Sequence, residues 1–127
     1  MRIEHFAFDV SDPQALAAWY VENLGFRIVR HIPEKADMHF LTDDAGSTCI
    51  EIYRNSRIEP TDLAGMHPLV MHLALMSKDP GSDRDRLVAA GATVFEEEKL
   101  PDGTHLVMLK DPWGVSLQIV KRGSPLL

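Results

Sequence analysis

Cysteine is nearly absent from this 127-residue chain. The single thiol, Cys49, excludes an intramolecular disulfide framework and a cysteine-rich zinc module. No run of about 18 apolar residues occurs, so no segment is expected to span a membrane. The first ten residues, MRIEHFAFDV, alternate in character and carry Glu4, His5 and Asp9, unlike the apolar stretch of a secretory leader. Basic residues are in the minority, 13 Lys and Arg against 19 Asp and Glu, giving a formal charge of −6. That field repels polyanions and no basic cluster offsets it, so neither nucleic acid nor a membrane surface is an expected partner. What is present, 45% hydrophobic and 25% charged residues, suits one ordinary domain of the reducing cytoplasm. A domain of this size buries roughly two-thirds of its unfolded surface without covalent staples.

The chain also repeats itself. At an offset of 67 residues, Ile3-Glu4-His5-Phe6-Ala7-Phe8 falls on Val70-Met71-His72-Leu73-Ala74-Leu75, and Asp12-Pro13 falls on Asp79-Pro80. Further on, Cys49-Ile50-Glu51-Ile52-Tyr53-Arg54 falls on Ser116-Leu117-Gln118-Ile119-Val120-Lys121. Gly25 matches Gly91 one residue out of register, as a single deletion near the second helix would produce. Each half reads as strand, helix and three strands. Asp12 with Pro13 opens the first helix, Leu16, Trp19, Tyr20 and Leu24 form its apolar stripe, and Gly25 ends it. In the second half Ser82 or Asp83 is the expected cap of a helix carrying Leu87 and Val88. Glu96-Glu97-Glu98 reads as a solvated loop or strand edge, and His31 and His67, beside prolines, as exposed residues.

The expected fold class is therefore α+β: two βαβββ modules, pairing into a curved mixed sheet with helices on the outer face. Residues 1–127 form a single domain, with module 1 at about 1–55, a linker at about 56–68 and module 2 at about 69–122. Alternation places Phe6, Phe8, Ile50, Ile52, Leu73, Leu75, Leu117 and Ile119 toward the helices. His5, Glu51, His72 and Gln118 then lie on the opposite face, at matching places of the duplicated unit. Two imidazoles, one carboxylate and one amide oxygen form a suitable set for a divalent transition metal (Ni, Zn, Co, Mn or Fe). If Lys110 opposes Val115 across the Asp111-Pro112-Trp113-Gly114 turn, Val107 opposes Gln118, and His105 and Leu109 share the site face. The same count in the first half puts Met38 and Phe40 on the site face and turns His39 away.

On these residues the chain resembles the vicinal oxygen chelate superfamily, which includes glyoxalase I, methylmalonyl-CoA epimerase, extradiol dioxygenases, fosfomycin-modifying enzymes and bleomycin-resistance proteins. The resemblance runs from His5 through Trp19-Tyr20-Val21-Glu22-Asn23-Leu24-Gly25-Phe26, Glu51 and His72 to Asp111-Pro112-Trp113-Gly114 and Gln118. It implies a metal held by His5, Glu51, His72 and Gln118. Bacterial glyoxalase I enzymes carry His, Glu, His, Glu at these positions, and the epimerases carry His, Gln, His, Glu. The set in this chain is the epimerase set with its modules exchanged. Asn55 stands where glyoxalase I proteins place a glutathione-contacting Asn, although Tyr53-Arg54 departs from that motif. The implied activity is that of a lactoylglutathione lyase-like isomerase acting on a small vicinal-oxygen substrate through an enediolate. The alternatives are an epimerase and a metal-free small-molecule binder of the bleomycin-resistance kind. Glu51 is the expected catalytic base if it leaves the metal when substrate binds, with His105 as a second candidate. The resemblance also implies a homodimer, with modules paired within one chain or exchanged between two.

Overall fold

In the structure, a computed structural model that describes residues 1–126, the chain divides into two compact units, Met1–Thr61 and Asp62–Leu127. The first contains β1 (His5–Asp9), α1 (Pro13–Leu24), β2 (Arg27–Ile32), β3 (Met38–Thr42) and β4 (Cys49–Tyr53). Its four strands form one mixed sheet in the order β1-β4-β3-β2, with β1 parallel to β4 and the other pairs antiparallel. The second unit repeats this with β5 (Leu73–Met76), α2 (Pro80–Ala89), β6 (Thr93–Lys99), β7 (His105–Lys110) and β8 (Ser116–Lys121). Its order is β5-β8-β7-β6, again with a parallel outer pair. Both units are βαβββ modules, and the fold is α+β.

Each helix begins the same way. Asp12 accepts a hydrogen bond from the Ala15 amide at 3.0 Å, and Asp79 accepts one from the Ser82 amide at 3.1 Å, each followed by a proline in the first turn. The expected Ser82 or Asp83 cap is thereby corrected to Asp79. Only a residue before the first turn can aim its carboxylate at the orphan amides, whereas Ser82 already supplies one of them. Asp79→Ala is expected to cost about 1 kcal/mol, read from the midpoint of urea unfolding. At the end of α1, Gly25 adopts φ 73°, a left-handed conformation that favours glycine, and its amide donates to the Tyr20 carbonyl.

The helices lie over the three strands farthest from the parallel edge, α1 on β2, β3 and β4, and α2 on β6, β7 and β8. Leu16, Tyr20, Leu41 and Ile52 are fully buried in the first unit, and Leu87, Val107, Leu109 and Leu117 in the second. Phe8 joins the first core, but Phe6 stays half exposed at 51%. It points to the helix side, as its pairing with Ile50 requires, from an edge strand that the helix does not cover. Residues 56–68, read as a linker, contain no strand or helix, yet Leu63 and Pro68 are buried. Lys110 secures this stretch by donating from Nζ to the Leu63 and Met66 carbonyls at 2.7 and 2.6 Å, and desolvation there lowers its pKa.

Candidate functional site

Strand register decides which side chains share a face. Ala7 opposes Glu51, and Glu51 opposes Phe40, so His5, Glu51 and Phe40 stand on the side of the sheet away from Ile50, Ile52 and Phe8. His39 opposes Ile52 and turns away, as the strand count requires. The His5 and Glu51 side chains meet, with Nε2 3.0 Å from Oε2. The His5 ring packs edge-on against Phe40 at a centroid distance of 6.0 Å. Glu51 is buried in the central strand β4, whereas His5 is accessible at the start of β1.

Glu4 orients the other side of the imidazole by accepting from His5 Nδ1, which leaves Nε2 facing Glu51. This hydrogen bond raises the His5 pKa, with the negative charges of Glu4 and Glu51 adding to it against a smaller desolvation effect. A carboxylate on Nδ1 with Nε2 directed into a site is the arrangement that fixes the tautomer of a metal-ligating histidine. Removing the charge by Glu4→Gln is expected to move the His5 titration midpoint downward, toward the ordinary histidine range. The His5 ring proton signals, followed by NMR across pH in the metal-free protein, check this.

The second unit repeats the register. Ala74 opposes Gln118 as Ala7 opposes Glu51, and His72 precedes Ala74 by the same two residues that separate His5 from Ala7. His72 lies one residue before β5, with Nδ1 donating to the Pro68 carbonyl at 3.0 Å, which leaves Nε2 as the nitrogen outside that bond. Gln118 is half-buried and lines a hollow of about 140 Å³ with Leu69, Glu96, Glu98, Leu106 and Met108.

One register in this unit differs from expectation. Lys110 opposes Ser116, not Val115, because the Asp111 carboxylate accepts from the Trp113 and Val115 amides, both at 2.9 Å, and draws Val115 into the turn. Met108 therefore opposes Gln118, while His105, Val107 and Leu109 pass to the other face. A one-residue slip inverts every side chain in a strand. His105 is corrected accordingly: it lies on the helix side, with Nε2 2.7 Å from Glu97 Oε1, and Glu97 also accepts from Arg84. The hydrogen bonds from His105 and then Arg84 hold the Glu97 carboxyl below its usual range.

The glutamates read as a solvated loop or strand edge are exposed on the edge strand β6, and the same shift assigns two of them a face. Glu96 opposes Met108 and Glu98 opposes Leu106, which places both on the Gln118 face, with Glu97 between them turned to the other side. The alternation of Glu96 and Glu98 was the available signal, but it needed the true hairpin length and the bulge between Val94 and Glu96 to be assigned a face. Asn55 is engaged locally: its amide donates to Asp9 at 2.7 Å and its side-chain oxygen accepts from the Arg57 amide at 3.0 Å.

The fold has close parallels among solved structures. A glyoxalase/bleomycin resistance protein/dioxygenase superfamily member from Sphaerobacter thermophilus superposes with a TM-score of 0.73 at 20% identity, covering 96% of this chain and 98% of that one. TnmS3, an antibiotic binding protein from Streptomyces sp. CB03234, gives 0.70 at 22% identity over 94% and 93%. Glyoxalase I from Zea mays gives 0.73 at 19% identity over 97% of this chain and 45% of that longer one. A sequence comparison with curated proteins gives no match. The family profile, in contrast, matches residues 2–119, nearly the whole chain. By that match and by its two βαβββ modules, the chain belongs to the Glyoxalase/Bleomycin resistance protein/Dioxygenase superfamily.

Proposed function

We propose that this protein is a metal-dependent lyase or isomerase of the glyoxalase I type, with His5, Glu51, His72 and Gln118 as the ligand set. The observation that carries the reading is the approach of His5 Nε2 to Glu51 Oε2, 3.0 Å apart on the sheet face away from the helix. His72 and Gln118 occupy the matching register in the second unit. The donor chemistry fits a borderline divalent ion: two neutral imidazoles, one carboxylate and one amide oxygen. A bound divalent ion would act as a Lewis acid toward two neighbouring substrate oxygens and stabilise the enediolate.

The chain's own residues supply the rest. Glu51 is the one ionisable oxygen donor in the set: as a ligand it would offset the ion's charge, and on leaving the ion when substrate binds it would provide a base for the proton next to the substrate carbonyl. Gln118 contributes an oxygen without reducing the positive charge further. Glu96 and Glu98, exposed on Gln118's face, are the further carboxylates that could serve as a base in this reading. The substrate class is a small molecule with vicinal oxygens, and the assembly a homodimer, checked by light scattering on the purified protein.

The direct test is turnover of methylglyoxal plus glutathione by protein loaded in turn with Ni²⁺, Zn²⁺, Co²⁺ and Mn²⁺. Lactoylglutathione formation with at least one ion is the expected result. Metal uptake without turnover would redirect the reading to the epimerase. The similarity to TnmS3 favours a second reading, a metal-free small-molecule binder. Sub-stoichiometric metal in protein purified without chelator, and no thermal shift on adding these ions, would decide for that reading.

A further inference from the structure

A second cluster of metal-ligating groups lies on the β2–β3 hairpin, outside the ligand set proposed above. His31 and His39 oppose each other across the two strands, and their rings stack at a centroid distance of 3.9 Å with 19° between planes. The turn joining the strands places Asp37 beside them, its Oδ1 2.7 Å from His31 Nε2. One ligand atom from each of the three residues lies within 4.8 Å of the others. Because His39 opposes Ile52 rather than Glu51, this cluster belongs to the opposite sheet face from His5 and Glu51.

We infer that His31, Asp37 and His39 form a second divalent-metal site, selective for a borderline ion such as Zn²⁺. Their chemistry is suited to it: imidazole and carboxylate together favour zinc and its neighbours over Mg²⁺ or Ca²⁺. The His39 tautomer is already set, while His31 Nε2, which donates to Asp37 Oδ1, gives up its proton when the ion binds. His39 donates from Nδ1 to the Asp37 carbonyl at 2.8 Å, which leaves its Nε2 lone pair free to bind. Zinc-to-ligand bonds of about 2.0–2.1 Å in a tetrahedron put ligand atoms about 3.3 Å apart, so the His31–Asp37 contact lengthens and the two stacked rings, whose in-plane lone pairs run side by side, turn toward a common point to admit an ion.

The backbone holds the carboxylate in place. Asp37 and the preceding Ala36 both adopt left-handed φ, 49° and 57°. The turn is secured by the Asp37 amide on the Pro33 carbonyl at 3.3 Å and by the Arg54 amide on the Ala36 carbonyl at 2.8 Å. His39 is buried at 3% exposure while His31 and Asp37 are accessible, so an ion would enter from the turn side and leave a coordination position to water. Three protein ligands and one open position clip the two strands to their connecting turn.

The test removes the other proposed site first. His5→Ala/Glu51→Gln protein is titrated with Zn²⁺ against a chromophoric indicator, while the His31 and His39 ring signals are followed by NMR. One equivalent bound, with those two rings shifting together, is the expected result. Asp37→Asn in the same background is expected to weaken binding at least tenfold, and His31→Ala to abolish it. The same His31→Ala change in otherwise unaltered protein is expected to lower the zinc stoichiometry by one, which keeps the test valid should the double variant not fold. Zinc stoichiometry unchanged by His31→Ala, or zinc binding in the double variant that leaves both rings undisturbed, would overturn the site.

Discussion

Glu51→Gln is expected to weaken Ni²⁺ or Zn²⁺ binding at the His5 site by at least about 100-fold and to reduce turnover below detection. The change leaves a set of two imidazoles and two amides, with no negative charge toward the ion and no base on Glu51's strand. His5 also loses its carboxylate partner at 3.0 Å. The amide is nearly isosteric, so the buried position in β4 keeps its packing and the fold is expected to survive, checked by circular dichroism. Affinity is measured by competition against an indicator in the His31→Ala background, so that the hairpin cluster does not contribute. A second variant separates charge from position. Because Gln118 occupies the register of Glu51 in the repeated unit, Glu51→Gln/Gln118→Glu restores one carboxylate at the equivalent place. Metal affinity is expected to return to within about tenfold of the starting value. If it does not, the two positions do not serve one ion, and the ligand set fails even if each unit folds as described.

Asp9→Ala is expected to be the most destabilising polar substitution considered, at about 2–4 kcal/mol. Asp9 is buried at the end of β1, on the same face as Ala7 and Glu51. Its carboxylate accepts from Arg54 Nη1 at 3.1 and 3.2 Å and from the Asn55 amide at 2.7 Å. Removing it leaves the Asn55 amide without its acceptor and the partly exposed Arg54 guanidinium with the Asn55 carbonyl at 3.1 Å in place of the ion pair. Asp9→Asn keeps an acceptor for the amide and removes only the charge, so about half the loss is expected. Urea unfolding of the three proteins measures this. Equal stability of Asp9→Ala and the parent would mean that solvent replaces the carboxylate at no cost.

Much of this architecture is legible in the chain itself. The repeat of Asp-Pro, of the opening strand and of the closing strand defines two βαβββ modules, because each motif has a local cause: a capping carboxylate, a fixed proline φ, and alternation on a pleated strand. Those same local rules put His5 and Glu51 on the face of their strands away from the apolar core positions, and His72 and Gln118 at the matching places of the second module. What local rules do not carry is register across a turn. The Asp111 carboxylate draws Val115 into the turn, so Lys110 meets Ser116, His105 leaves the Gln118 face, and Glu96 and Glu98 enter it.

The His31–Asp37–His39 cluster is likewise a product of tertiary structure. His31, beside Pro33, reads alone as an exposed residue, and His39 only as a strand residue turned from the site face. Only the hairpin, with two left-handed residues aiming Asp37 back at its own strands, assembles them. The exposed Phe6 follows the same logic: alternation gives its direction, while the helix placement decides whether anything covers it. Sequence by itself determined the modules and the candidate ligands, since these follow from spacing along one strand or one helix turn. Pairing between strands and the reach of each helix were decided only by the folded chain, where one residue of slip exchanges the two faces of a sheet.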